Sequence, residues 1–278
     1  MGLNRNGAPL SYADNVVRWL RERLDQDPPL AQPRELTLAL RVLALWRASL
    51  IVDAFVARHG RRVLQGPFAG MAYVEGATEG ALAPRLLGTY EAELHPYLAT
   101  LAAEGLDHVI DVGSAEGYYA VGMALLIPGA QVHAFDTSAK ARAACAQMAE
   151  INGVSDRVTI GETVKPEDFE ALAGPRRLVL MDVEGAEEEL LRPDLAPALA
   201  HTHIIVEAHE VYRPGVAARL TERFAPTHRV TQLAMGGRTL PLPDWLVASN
   251  HLDQLLAVWE WRLGPTPWLV MRPKSLNT

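Results

Sequence analysis

The chain of 278 residues has a single cysteine, Cys145. That excludes an internal disulfide framework and any cysteine-based zinc site. Cys145 lies in the alanine-rich run Ala141–Ala146, where a small buried residue is expected rather than a nucleophile. Basic charge is also short: 26 Lys and Arg face 33 Asp and Glu, for a net charge of −7. With an isoelectric point of about 5.7, the chain lacks the positive footprint with which proteins meet phosphate backbones, so nucleic acid is not an expected partner. No long apolar run is uninterrupted. The stretch Leu36–Val56 carries Arg41, Arg47 and Asp53, so a packed helix is expected and no membrane contact. Met1–Pro9 has no apolar core of a secretory signal, and Asn6 stands where N-myristoylation wants Ser or Thr. A cytoplasmic protein is expected. Internal repeats and low-complexity tracts are absent.

The bulk is that of a packed globular chain, with 49% hydrophobic and 21% charged residues. Val16, Val17, Leu20 and Leu24 recur at helical spacing and predict an amphipathic helix over Ser11–Asp25, ended by Asp27-Pro28-Pro29. A longer helix is expected from Pro33 to His59, with Gly60 as its stop. Arg61–Pro84 contains Gly66, Gly70, Gly76 and Gly80 and fits either short strands or an ordered loop; a helix over Leu87–Glu104 follows. Residues 1–106 therefore read as a helical N-terminal extension. Its apolar faces must cover something, either the carboxyl ends of the strands or a second copy in a homodimer.

From Asp107 the pattern changes. Short β-rich runs at His108–Val112, Gln131–Phe135, Arg157–Ile160, Leu178–Asp182, His203–Glu207, His228–Leu233 and Trp268–Arg272 alternate with helical segments. Such alternation predicts a parallel sheet covered on both faces, an α/β fold, and residues 107–278 as one catalytic domain. Val109-Ile110 and Ile204-Ile205-Val206 are apolar throughout, as doubly covered strands are.

The first strand runs into the turn Asp111-Val-Gly-Ser-Ala-Glu-Gly-Tyr-Tyr119. Ligands of open α/β sheets bind at the carboxyl ends of strands, and Gly113 and Gly117 would let backbone approach a ligand closely. Ala115 and Tyr118 occupy places where the dinucleotide fingerprint needs small residues, so that fingerprint fails. S-adenosylmethionine needs acceptors and close backbone rather than a pyrophosphate cradle, and suits the turn better. The residues expected to hold it here are Asp111, Gly113, Ser114, Ala115, Glu116, Gly117 and Tyr118. The second strand ends at Asp136, at the spacing expected for ribose recognition; capping the next helix is its alternative role. Glu162, after the third strand, is placed either near the adenine amino group or in a solvated loop. Tyr90, Tyr118 and Tyr119 offer aromatic faces for a sulfonium, or else pack in the core.

Together these segments resemble the class I methyltransferases and, more narrowly, the FkbM-type methyltransferases. The resemblance rests on Asp111–Tyr119, Ala134-Phe-Asp136, Met181-Asp-Val-Glu-Gly-Ala-Glu187 and Ile205-Val-Glu207, and covers Asp107 to His209. It implies a Rossmann-like, doubly wound seven-stranded sheet. It also implies methyl transfer from S-adenosylmethionine to a hydroxyl of a small molecule such as a sugar, lipid or natural product. Family members often carry lysine before the aspartate of the fourth strand; Met181 stands there in this chain.

In that strand order the fourth and fifth strands are neighbours, which brings Asp182 and Glu207 together at the mouth of the site. Alternation along an extended backbone pairs Asp182 with Glu184 and Glu207 with His209. Asp182, Glu207 and His209 are the expected catalytic residues, as a general base and orienting cluster. The alternative is a divalent ion, magnesium or manganese, held by the same three groups. Glu187, Glu188 and Glu189 read as helix capping and surface charge. Two other functions stay open: S-adenosylmethionine chemistry that releases methylthioadenosine, and a non-catalytic cofactor-binding module.

Overall fold

The structure is a computed structural model describing residues 11–25, 32–75, 81–172, 176–236, 241–262 and 264–274. The expected stop Asp27-Pro28-Pro29 and the glycines Gly76 and Gly80 lie outside them. The helices are α1 (Tyr12–Leu24), α2 (Pro33–His59), α3 (Leu82–Leu87), α4 (His95–Glu104), α5 (Tyr118–Leu126), α6 (Ala139–Ile151), α7 (Asp168–Ala171), α8 (Glu187–Leu190), α9 (Val216–Phe224), α10 (Asp244–Val247) and α11 (His251–Ala257). The strands are β1 (His108–Val112), β2 (Gln131–Phe135), β3 (Val158–Gly161), β4 (Arg177–Met181), β5 (His203–Glu207), β6 (His228–Leu233) and β7 (Trp268–Pro273).

The chain divides into two units, Met1–Gly60 with Leu242–Trp259, and Arg61–Pro241 with Glu260–Thr278. The division falls at Gly60 rather than at the expected border of residue 106. The reason is local: segment 61–106 belongs with the sheet, where Arg85 and Tyr73 hold Glu116. In the first unit, Ser11 caps α1 in a reciprocal box with Asp14. The buried residues of α2, Ala44, Ala48, Ile51 and Phe55, recur at helical spacing. Arg47 of α2 grips Asp253 of α11 through two hydrogen bonds of 2.7 Å. Among the described residues no helix is long and apolar enough to cross a membrane.

The second unit is built on a seven-stranded sheet of order β3-β2-β1-β4-β5-β7-β6. β1 to β5 are parallel, and β7 runs antiparallel between β5 and β6. Helices cover both faces, which gives the Rossmann-like fold of class I methyltransferases. β4 and β5 are buried along their whole lengths, as central strands of an α/β sheet are. The expected single helix over Leu87–Glu104 is broken. Gly88 and Glu91 both adopt the left-handed conformation, and a short 3-10 turn, Ala92–Leu94, leads into α4. Glu91 is held in that conformation by buried polar partners described below.

Candidate active site

The carboxyl ends of β1 to β4 open onto a cleft of about 410 Å³, lined by Gly113, Phe135, Asp136, Glu162, Asp182 and Val183 among others. Gly113 sits at φ +86°, and a Cβ there would lie 1.7 Å from the Asp182 carbonyl oxygen. Gly117 sits at φ +94°, and a Cβ there would lie 2.8 Å from the Cys145 sulfur. The two glycines are thus required by the protein's own packing, of β1 on the loop after β4 and of α5 on α6, before any ligand is considered. Cys145 is buried, and burial pushes its thiol up to about 12, so the expected inert role holds.

Asp136 directly follows β2 and lines the cleft. One carboxylate oxygen accepts the Ala115 N–H at 2.9 Å and the other the Ser138 N–H at 2.8 Å. The cap of α6 is Ser138 itself, so Asp136 braces both the glycine turn and the approach to α6. Glu162 lines the cleft with an exposed side chain 3.8 Å from Arg142.

The other residues expected around the cofactor are placed differently. Asp111, Ser114, Ala115, Glu116, Gly117, Tyr118 and Tyr90 are not among the cleft-lining residues. The Asp111 carboxyl is buried beneath α5. Burial pushes it up to about 7, the Ala120 N–H opposing and the Asp136 charge adding to the rise. Glu116 is fully buried and bound to Arg85 and Tyr73. Tyr118 packs edge-on to Phe68, Tyr90 and Tyr119. The Tyr90 ring lies 4.5 Å from the Arg85 guanidinium. Glu116, Tyr118 and Tyr90 are consumed by packing among Phe68, Tyr73 and Arg85 of the segment before the sheet, and Asp111 by burial within β1.

Asp182, Glu207 and His209 do meet. β4 and β5 pair with Met181 opposite Val206, so Asp182 and Glu207 emerge side by side. His209 Nε2 lies 3.4 Å from Asp182 Oδ1 and 3.5 Å from Glu207 Oε2. One ligand atom from each residue lies within 4.8 Å of the others. Glu184 lines the same cleft as Asp182. The chain turns there, at φ 49°, and leaves Glu184 exposed. Burial pulls the His209 imidazole down, but the hydrogen bond to Glu187 and the charges of Glu207, Glu187 and Glu184 outweigh it, and the net shift is upward.

Four participants, Glu187, Arg262, Glu91 and Glu260, escaped sequence reasoning. Glu187, expected as surface charge, is fully buried and its Oε1 lies 2.5 Å from His209 Nδ1. Arg262 Nη1 holds Glu207, while its Nη2 reaches Glu91 at 2.8 Å and its Nε reaches Glu260 at 3.1 Å. Burial and the Glu207 charge push the Glu91 carboxyl up to about 8, against Arg262 and the Tyr119 hydroxyl. Glu187 closes the Met181–Glu187 motif, which was the available signal. Arg262 lies beyond every recognisable motif, and nothing local marks it.

No family model matches the chain. It is 31% identical to the release factor glutamine methyltransferase of Chlorobaculum tepidum across 59% of this chain and 63% of that protein. It is 32% identical to the protein of the same name from Synechocystis sp. across 37% of this chain and 35% of that one. The chain therefore spans less than two thirds of the length of these relatives. Among solved structures it is similar to TomG, an O-methyltransferase of Streptomyces achromogenes involved in tomaymycin synthesis and solved with S-adenosylmethionine. The identity is 13%, the coverage 74% of this chain and 92% of that one, and the TM-score 0.45.

Proposed function

We propose that the chain binds S-adenosylmethionine in the cleft and transfers its methyl group to an acceptor held beside Asp182, Glu207 and His209. One observation carries this reading: Asp182 belongs both to the cleft and to the imidazole–carboxylate edge, so a cofactor and an acceptor would share it. The cleft volume falls within the roughly 300–1,000 Å³ usual for small-molecule sites. Gly113 supplies close backbone, and Asp136 and Glu162 supply acceptors for ribose hydroxyls and amino groups. When bound, the sulfonium supplies an already activated methyl group. The protein's share is alignment and removal of one proton. His209 Nε2 takes that proton from a hydroxyl or amine, and Asp182 and Glu207 stabilise the imidazolium that results.

The motif Met181–Glu187 favours a small-molecule acceptor of the FkbM type. The names of the two relatives favour a second reading, in which the acceptor is a glutamine side chain of a protein. The grouping of three ligand atoms favours a variant mechanism, in which a divalent ion held by Asp182, Glu207 and His209 acidifies the acceptor hydroxyl.

The test is incubation with methyl-labelled S-adenosylmethionine and either a small-molecule extract or purified release factor, read by mass spectrometry. S-adenosylhomocysteine with a labelled acceptor is the expected result. Methylthioadenosine would move the chain to non-methylating chemistry, and no cofactor binding by calorimetry would end the reading. Asp182→Ala or His209→Ala should lower turnover about a hundredfold or more while cofactor binding survives. Full turnover after EDTA removes the metal variant. Loss restored by magnesium or manganese puts it ahead of the base.

A further inference from the structure

The mechanism above leaves the last residue of the Met181–Glu187 motif without a task. Glu187 opens α8 in the run Glu187-Glu188-Glu189, and its two neighbours behave as surface charge. Glu188 pairs with Arg219 at 2.9 Å, and Glu189 with Arg213 at 2.5 Å. Glu187 is fully buried instead. Its Oε1 accepts the Gly185 N–H at 3.0 Å and lies 2.5 Å from His209 Nδ1. One oxygen thus ties the loop after β4 to the residue that follows β5.

An oxygen already accepting from the Gly185 N–H faces Nδ1 as an acceptor too, which places the imidazole proton on Nδ1. The neutral ring then carries its lone pair on Nε2, the nitrogen that faces Asp182 and Glu207. Left to those two carboxylates alone, the ring would take the opposite tautomer, because Nε2–H would have two acceptors and Nδ1 none. The charged groups facing His209 are Glu187 from α8, Glu184 and Asp182 from the loop after β4, and Glu207 from β5. Of these, Glu187 alone is hydrogen-bonded to Nδ1.

We propose that Glu187 is the positioning residue of this edge: it keeps the His209 proton on Nδ1 and leaves Nε2 as the atom that receives the acceptor's proton. The proposal rests on His209 as the base, but its first test does not. Long-range proton–nitrogen correlation spectra of the full chain, with His209 assigned by its loss in His209→Asn, read the tautomer at alkaline pH, where the ring is neutral. The expected result is the Nδ1–H form. An Nε2–H form in the unmodified protein overturns the proposal, whether or not any variant folds.

Glu187→Met removes the acceptor and should move the proton to Nε2. Glu187→Gln keeps an acceptor oxygen and should retain the Nδ1–H form. Turnover should fall at least about tenfold in Glu187→Met, as a wrong tautomer disables a base, and recover largely in Glu187→Gln. Cofactor affinity should be unchanged in both, and Glu188→Gln should alter neither reading. An unchanged tautomer in folded Glu187→Met overturns the positioning role. A changed tautomer with undiminished turnover overturns the base role of His209 and the second half of the proposal with it, while the hold of Glu187 on the ring stands.

Discussion

Arg85 Nη1 and Glu116 Oε1 lie 2.5 Å apart, with side chains only 5% and 0% exposed. The Tyr73 hydroxyl donates to the same oxygen. Glu116 sits in the turn after β1, so this pair fastens the turn to the segment that precedes the sheet. Removing one member takes the counter-charge from a buried ion, at about 3–5 kcal/mol. Glu116→Ala should therefore lower the unfolding free energy by that amount in urea titrations. Glu22, paired with Arg18 at 4.0 Å on the surface, is the contrast, since exposed pairs contribute about 0–1 kcal/mol. A cost for Glu116→Ala no larger than for Glu22→Ala would mean that water reaches the pair.

Glu91 makes stability depend on pH in the alkaline direction. It is buried at φ 48°, with Tyr119 and Arg262 donating to its carboxyl and its own N–H donating to Glu260. Burial first, and Glu207 next, push it up to about 8. A folded-state value above the unfolded one means that the folded chain holds the proton more tightly. The stabilisation is complete below the usual 4.5 and is lost as pH rises through about 8. Between pH 6 and 9 the unfolding free energy should fall by on the order of 2–3 kcal/mol from this group. Glu91→Gln should flatten that decline. Asp111, pushed up to about 7, acts in the same direction, so part of the slope should survive. An equal slope in the variant would show that Glu91 is ionised throughout.

The strands were legible to within a residue, because apolar runs bounded by glycine and acids have few other solutions. The pairing of Asp182 with Glu207 was legible too, once β4 and β5 were taken as neighbours. Side-chain destinations were not. Glu116 and Tyr118 stand in a ligand-binding turn by sequence, yet α5 turns them into the interior, where Arg85 and Phe68 wait some 30 to 50 residues upstream. Glu187 was hidden in a run of three acids of which only one faces inward, and a four-residue helix shows no periodicity to reveal which. Arg262 and Glu91 are joined across 171 residues, a distance over which local pattern carries no information.

If the cleft holds S-adenosylmethionine, Asp136 is where its ribose should be felt. The carboxylate already receives two backbone N–H groups, and each oxygen keeps a lone pair for a ribose hydroxyl. Asp136→Ala should weaken cofactor binding by about 1–3 kcal/mol, the cost of leaving buried hydroxyls unpaired. Asp136→Asn keeps one acceptor oxygen and should fall between. Calorimetry on both variants decides it, with thermal melts to separate lost binding from a loosened turn. Undiminished affinity in Asp136→Ala would take Asp136 out of the cofactor site.

His209 sets the acid limb of turnover if it is the base. Burial alone would lower its pKa, but Glu187, Glu207 and Glu184 together raise it above the usual 6.5. Proton removal needs the neutral ring, which exists above the pKa, so kcat/KM should rise with pH through a value higher than 6.5. Glu184 provides the cleanest probe, because it is exposed and touches His209 only through its field. Glu184→Gln should move the limb to lower pH. High salt should reproduce part of that shift in the unmodified protein, since an exposed charge is screened over about 3 Å at 1 M ionic strength. A limb below 6.5, or one that ignores both Glu184→Gln and salt, would assign proton removal to a group other than His209.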